Sequence, residues 1–240
     1  MRWQHPTLGL LEPETLIPLA EQTGDIDAIG CWVLDTATRQ VAAWRQIMDH
    51  RRSLWVSVNL SALQLVNPQS LAAIRHILAD PTVQADKVLV EVTETTLGAD
   101  IGGDIASLHI LKGSGVRITI DDFGTGISSL STLASLPVDI LKIDDSFVSG
   151  QTSAKPSVPM LEGILGLANK LSLAVIAEGI EGPDQLDLLR RLVCSMGQEH
   201  LLAWPAFDFE ALLASVLCSR SDPPLRWLVA SGYEAQMRLV

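Results

Sequence analysis

Hydrophobic and polar positions along the chain follow two alternating periods. Short β-branched runs at residues 54–59, 88–92, 116–120, 140–143 and 174–177, with a weaker one near Met196, read as strands. Between them apolar residues recur at helical spacing: Leu71, Ile74 and Leu78; Leu108 and Leu111; Leu161, Leu165 and Leu167; Leu186, Leu189 and Leu192. Each helical stretch is long enough to carry the chain back to the start of a parallel strand, so the pattern predicts βα units on a parallel sheet. Two helices precede the first strand, over residues 13–22 and 26–48, separated at Gly24. A last helix is expected over residues 207–218, followed by a Ser-Asp-Pro-Pro break. No low-complexity linker divides the chain, which predicts one domain over residues 1–218 and a tail over 219–240 that either packs as a short helix or frays.

Composition narrows the class. With 240 residues, 48% hydrophobic and 19% charged, the chain is a folded globular protein, not a disordered, collagenous or coiled-coil one. The 17 Lys and Arg against 28 Asp and Glu leave a net charge of −11, which repels a nucleic-acid polymer. Cys31, Cys194 and Cys218 are too few and too scattered for a disulfide framework or a zinc site, which fits a reducing cytoplasm. No stretch approaches the roughly 18 uninterrupted apolar residues of a membrane span.

The informative chemistry stands at the carboxyl ends of the strands, which in a βα barrel share one face with the following loops. In order, those ends present Asn59, Glu91, Asp121 with Asp122, Lys142 with Asp144, Glu178 with Glu181, and Gln198. Oxygen ligands without a His or Cys cluster suit Mg²⁺ or Mn²⁺ rather than zinc or copper. Asp121 and Asp122 are adjacent where the pleat is lost, so both side chains can reach one site and serve two ions, an arrangement suited to displacement at a phosphodiester. A lysine among carboxylates keeps its proton and can orient water or offset the acidic cage. Each residue also has a structural alternative: Asn59 as a turn cap, the two aspartates as a helix start, Glu178 as a solvated loop charge, Lys142 paired with Asp144 at the surface. Their joint occurrence at the same end of six strands favours a site. The loop from Asp122 to Ser129 contains Asp-Phe-Gly, but the other protein-kinase elements are absent. Gly124, Thr125 and Gly126 instead predict a mobile loop that approaches the metals closely.

At these residues the chain resembles the EAL domain family of bacterial cyclic di-GMP phosphodiesterases. The resemblance rests on the string from Arg2 to Pro6, on VNLSALQL (58–65), VEVTE (90–94), DDFGTGISSL (121–130), PVDILKID (137–144) and AEGIE (177–181), and on Gln198. It implies a TIM-type (β/α)8 barrel, two Mg²⁺ or Mn²⁺ ions, and hydrolysis of cyclic di-GMP to linear pGpG. Asn59, Glu91 and Asp121 would hold the first ion, and Asp121 and Asp122 the second. Lys142 would position the attacking water, with Glu178 and Gln198 completing the metal and water shell. Glu181 would brace the loop from Asp122 to Ser129, which links the site to a homodimer. Arg2, Gln64 and Asp144 would lie with the ligand contacts. The family also implies an upstream sensory or GGDEF-type partner domain.

The departures from the family pattern set further expectations. The family's Glu-Ala-Leu glutamate lies four residues before the position of Arg2, and the sequence begins at Met1. The barrel's first strands are expected to be missing with it, which leaves an unpaired sheet edge and predicts weak or absent turnover. Ile127 and His200 stand for tyrosines, Glu199 for a glycine and Asp145 for an arginine. The alternative reading is a degenerate EAL domain acting as a cyclic di-GMP receptor or a protein-interaction module. An unrelated Mg²⁺-dependent barrel enzyme is a third.

Overall fold

The computed structural model describes residues 3–47, 54–97, 101–126, 130–148, 158–194, 196–198, 228–229 and 236–239. It opens with a hairpin that the hydrophobic pattern did not show: β1 (Trp3–His5) pairs antiparallel with β2 (Gly9–Leu11). Helix α1 (Pro13–Thr23) begins with proline in its first turn, where a missing N–H costs nothing. It buries Leu16 and Ala20 one turn apart and stops at Gly24, whose φ of 82° is left-handed. Helix α2 (Ile26–Ile47) buries Leu34, Ala37, Val41 and Trp44, a stripe at helical spacing that faces the sheet.

Six parallel strands follow, with helices in each of the five connections between them: β3 (Leu54–Asn59), then α3 (Ala62–Val66) and α4 (Pro68–Leu78), β4 (Val88–Thr93), α5 (Ile101–Lys112), β5 (Arg117–Phe123), α6 (Leu130–Ser135), β6 (Ile140–Ile143), α7 (Val158–Lys170), β7 (Ala174–Ala177), α8 (Pro183–Arg191) and β8 (Met196–Gly197). Each parallel strand pairs with the one before it, in the order β8-β7-β6-β5-β4-β3. This is the parallel, helix-covered half of a TIM-type fold, as the alternating pattern predicts. Among the described residues no helix is long and apolar enough to cross a membrane.

Two further strands come from the segment that the sequence reading assigned to a helical or frayed tail. β9 (Leu228–Val229) pairs with β10 (Gln236–Leu239), and β10 pairs antiparallel with β3. The expectation of an unpaired edge at β3 is therefore corrected, because β10 occupies it. The helix expected over 207–218 lies outside the described residues.

The strands position the site through their period of two. On one face Val56, Val58, Val90, Ile118 and Leu141 pack under the helices in the main core with Leu108, Leu111 and Leu161. On the other face Trp55, Leu89, Ile140, Ile176 and Met196 form a separate apolar floor. The Trp55 ring is approached there by Arg117, 4.1 Å from its centroid, and by Lys87, at 4.8 Å. Two residues further along the same face stand Ser57, Glu91 and Lys142, all buried, and two residues beyond Ser57 stands Asn59.

Candidate metal centre at the strand ends

Lys142 organises the site. It follows the floor residue Ile140 by one pleat, so β6 aims it inward, and it is 1% exposed. Its Nζ lies 2.7 Å from Glu178 Oε1, 2.8 Å from Asp121 Oδ1 and 3.4 Å from Glu91 Oε2. Surface pairing of Lys142 with Asp144 is thereby excluded. Glu91 reaches the cluster from β4 and is itself fully buried.

A bulge delivers the adjacent aspartates. β5 runs three residues beyond the apolar run that ends at Ile120, and its pairing with β6 shifts register between Ile120 and Phe123. Asp122 sits inside that shift with a φ of 53°, a left-handed conformation that a β-bulge accommodates. Regular pleating would send consecutive side chains to opposite faces. The bulge instead leaves Asp121, Asp122 and Glu178 with one carboxylate oxygen each, all within 4.8 Å of one another. Glu178 is fixed by its backbone, whose N–H donates to Ile143 carbonyl oxygen at 3.1 Å. Gln198 is also buried and donates its N–H to Ala177 at 2.8 Å. Asn59 ends β3 in register with Glu91.

Burial raises the Glu178 carboxyl to about 7; Lys142 opposes the rise, and the nearby charges of Asp121 and Glu91 add to it. Asp121 and Asp122 are also raised, again by burial first, with Lys142 opposing and neighbouring acids reinforcing. The cluster therefore holds more negative charge than one ammonium balances. Glu178 Oε1 is buried and meets the Lys142 ammonium at 2.7 Å. An oxygen-only donor set and crowded acids, with one carboxylate oxygen each from Asp121, Asp122 and Glu178 within 4.8 Å of one another, together fit a hard divalent cation.

The loop after β5 is braced by an acid that the sequence reading passed over. Glu94 accepts hydrogen bonds from Gly124 N–H at 2.8 Å and Gly126 N–H at 3.1 Å. A Cβ on Gly126 would lie 2.7 Å from the Glu94 carboxyl carbon, so a larger residue would have to displace the brace. Thr125 closes the turn, its hydroxyl donating to Asp122 carbonyl oxygen at 2.8 Å. Glu94 thus holds both of these amides. Glu181 is an exposed residue before α8, and its N–H donates to Gln185 Oε1. The available signal was the spacing within VEVTE, which sets a second glutamate one short turn beyond Glu91.

Two expected ligand contacts have structural roles. Gln64 is 1% exposed, accepts from Ser61 N–H in the capping box of α3, and packs on Gly30 of α2, so it offers a nucleotide no surface. Asp144 caps the turn from Asp145 to Phe147 by accepting from Ser146 N–H at 3.0 Å, while its charge still acts on Asp122. Arg2, Ile127, Glu199 and His200 lie outside the described residues.

Comparison with known proteins places this geometry in context. The family model described as "EAL domain" matches residues 1–205. The bifunctional diguanylate cyclase/cyclic di-GMP phosphodiesterase MucR of Pseudomonas aeruginosa is 40% identical over 217 residues, which are 90% of this chain and 31% of that protein. The cyclic di-GMP phosphodiesterase NbdA of the same organism is 40% identical over 230 residues, 95% of this chain and 29% of its own. The chain thus spans about a third or less of the length of these relatives. The structure of the MucR phosphodiesterase in complex with c-di-GMP superposes with a TM-score of 0.77 at 39% identity, covering 84% of this chain and 81% of that one.

Proposed function

The chain belongs to the EAL domain family, and from that premise we propose that it binds cyclic di-GMP at the strand-end rim and hydrolyses one of its phosphodiester bonds to give linear pGpG. The observation that carries this reading is the buried Lys142 held among Glu91, Asp121 and Glu178 beside the Asp121, Asp122 and Glu178 cluster. Asn59, Glu91, Asp121, Asp122 and Glu178 would hold two Mg²⁺ or Mn²⁺ ions. When bound, such ions neutralise a phosphodiester and make water acidic enough to act as a nucleophile near neutral pH.

The chain's own groups do the rest. Lys142 donates hydrogen bonds from a fixed position, which orients the nucleophile in line with the scissile bond, where displacement of about 1 Å is costly. Gln198 supports it from β8. The Glu94 brace keeps the Gly124 to Gly126 turn closed against the rim. Arg2 contacts the ligand's phosphate or guanine. The net charge of −11 disfavours a nucleic-acid polymer, whereas a small dinucleotide meets that charge only through the cations. In its longer relatives the domain is one of several, and here too a sensory or GGDEF-type partner domain and a homodimer are part of the proposal.

The test is incubation with cyclic di-GMP and Mg²⁺ or Mn²⁺, with pGpG followed by chromatography. Product that vanishes in Glu178→Ala supports hydrolysis. Metal-dependent binding without product would make the domain a receptor.

A further inference from the structure

Between the apolar floor and the acidic rim, the sheet carries two buried hydroxyls. Ser57 follows the floor residue Trp55 by one pleat on β3 and precedes Asn59 by one. Thr119 precedes Asp121 by one pleat on β5 and is paired with Ile140 of the floor, on β6. Both residues are 0% exposed, and neither Ser57 Oγ nor Thr119 Oγ1 has a hydrogen-bond partner among the described residues. Buried hydroxyls are ordinarily hydrogen-bonded, because burial strips away the water that would otherwise serve them. Valine has nearly the shape of threonine and suits a strand equally well, with no polar atom to satisfy. Two such hydroxyls flanking one strand point to an acceptor on it.

That acceptor is Glu91, on β4. It pairs in register with Asn59 on β3 and with Thr119 on β5, and paired residues of parallel strands project from the same face on backbones about 4.8 Å apart. Ser57 pairs with Leu89, one pleat below Glu91, and so approaches the carboxylate from the β3 side. Glu91 is fully buried, and its Oε2 lies 3.4 Å from Lys142 Nζ, whereas Glu178 and Asp121 hold that ammonium at 2.7 and 2.8 Å. An ionised carboxylate offers about four lone-pair sites. A cation that takes one of its oxygens leaves the other to be oriented by donors within the protein. On the premise of the metal site proposed above, we propose that Thr119, with Ser57 on the other side of β4, is a positioning residue for the ion that Glu91 would hold. The two hydroxyls turn about their Cα–Cβ bonds and donate to the Glu91 carboxylate when a divalent ion is bound. They touch neither ion nor substrate, and act by fixing which carboxylate oxygen faces the cation.

The test uses the full chain and two readouts, Mn²⁺ affinity by calorimetric titration and the thermal midpoint of the metal-free protein. Thr119→Val keeps the shape and removes the hydroxyl. Its metal-free midpoint should stay level or rise, because an unpaired donor is gone, while its Mn²⁺ affinity should fall by about 10–100-fold. Ser57→Ala should lose affinity in the same direction. Thr119→Ser keeps the donor and gives up a methyl group, so it should reverse the order, with a lower midpoint and an affinity near that of the wild type. Wild-type affinity in both Thr119→Val and Ser57→Ala, or an equal loss in Thr119→Ser and Thr119→Val, would overturn the positioning role and leave the metal site standing. No Mn²⁺ binding by the unaltered chain would overturn the metal site and this role together.

Discussion

Lys142, itself 1% exposed, stands within 3.4 Å of three carboxylates. Removing one partner from such a cluster strands the others, at a cost of about 3–5 kcal/mol. Lys142→Met should therefore lower the thermal midpoint of the metal-free protein, and Mg²⁺ should recover part of the loss; an unchanged midpoint would refute the pairing. Glu178 carries the pH dependence. Its carboxyl rises from 4.5 to about 7 on folding, so between those values the folded chain keeps a proton that the unfolded chain releases. The associated stability is fully present below pH 4.5 and lost as pH rises through about 7. Urea midpoints of metal-free protein should fall across that window, and Glu178→Gln should flatten the fall. Divalent affinity should rise over the same range, because the ions require the deprotonated acid. Glu94→Ala releases both loop amides and should cost about 10–100-fold in metal affinity or activity, by analogy with other groups that support a metal site, with little change in melting. Glu94 was hard to see in sequence because an acid after a strand also reads as a cap or a solvated turn. Its role depends on where the loop after β5 returns in space, which no local pattern reports.

At the scale of elements, the parallel strands were legible because burial on both faces makes them short apolar runs, each ending in a polar residue. β3 and β6 fall where the pattern puts them. β5 extends to Phe123 and includes both aspartates, because a bulge, set by tertiary pairing, keeps polar residues inside the strand. The opening hairpin escaped because its strands are three residues each and β1 is mixed in polarity. β9 and β10 escaped because their pairing, with each other and with β3, is set at long range and leaves no local pattern. The loop between β7 and α8 shows how closely the elements near the rim pack. Gly179 has a φ of 74°, and a Cβ there would lie 2.6 Å from Asp145 Cβ and 2.9 Å from Asp145 Cα. Gly179→Ala should lose about 1–3 kcal/mol from the backbone conformation alone, and metal affinity should fall with stability because the shift is transmitted to Glu178. A melting curve and a calcium titration of the variant would check both.

For the whole molecule, the net charge of −11 is partly explained by position. Glu91, Asp121, Asp122 and Glu178 are gathered at one end of the sheet, where their repulsion favours cations and the floor of Trp55, Leu89, Ile140, Ile176 and Met196 closes the site from below. That division between an apolar floor and an acidic rim follows from the period of two, so the site's residues were readable from the chain once the strands were placed. The bulge and the brace that shape it were not. The central claim is that this rim takes divalent ions and, through them, cyclic di-GMP. The most direct measurement is calorimetric titration of cyclic di-GMP into the protein with Mg²⁺ and then with excess EDTA, with the nucleotide recovered afterwards by chromatography. The account predicts binding that requires Mg²⁺, pGpG in the recovered nucleotide, and loss of both in Asp121→Asn. Equal binding in EDTA, or no binding in either condition, would contradict it.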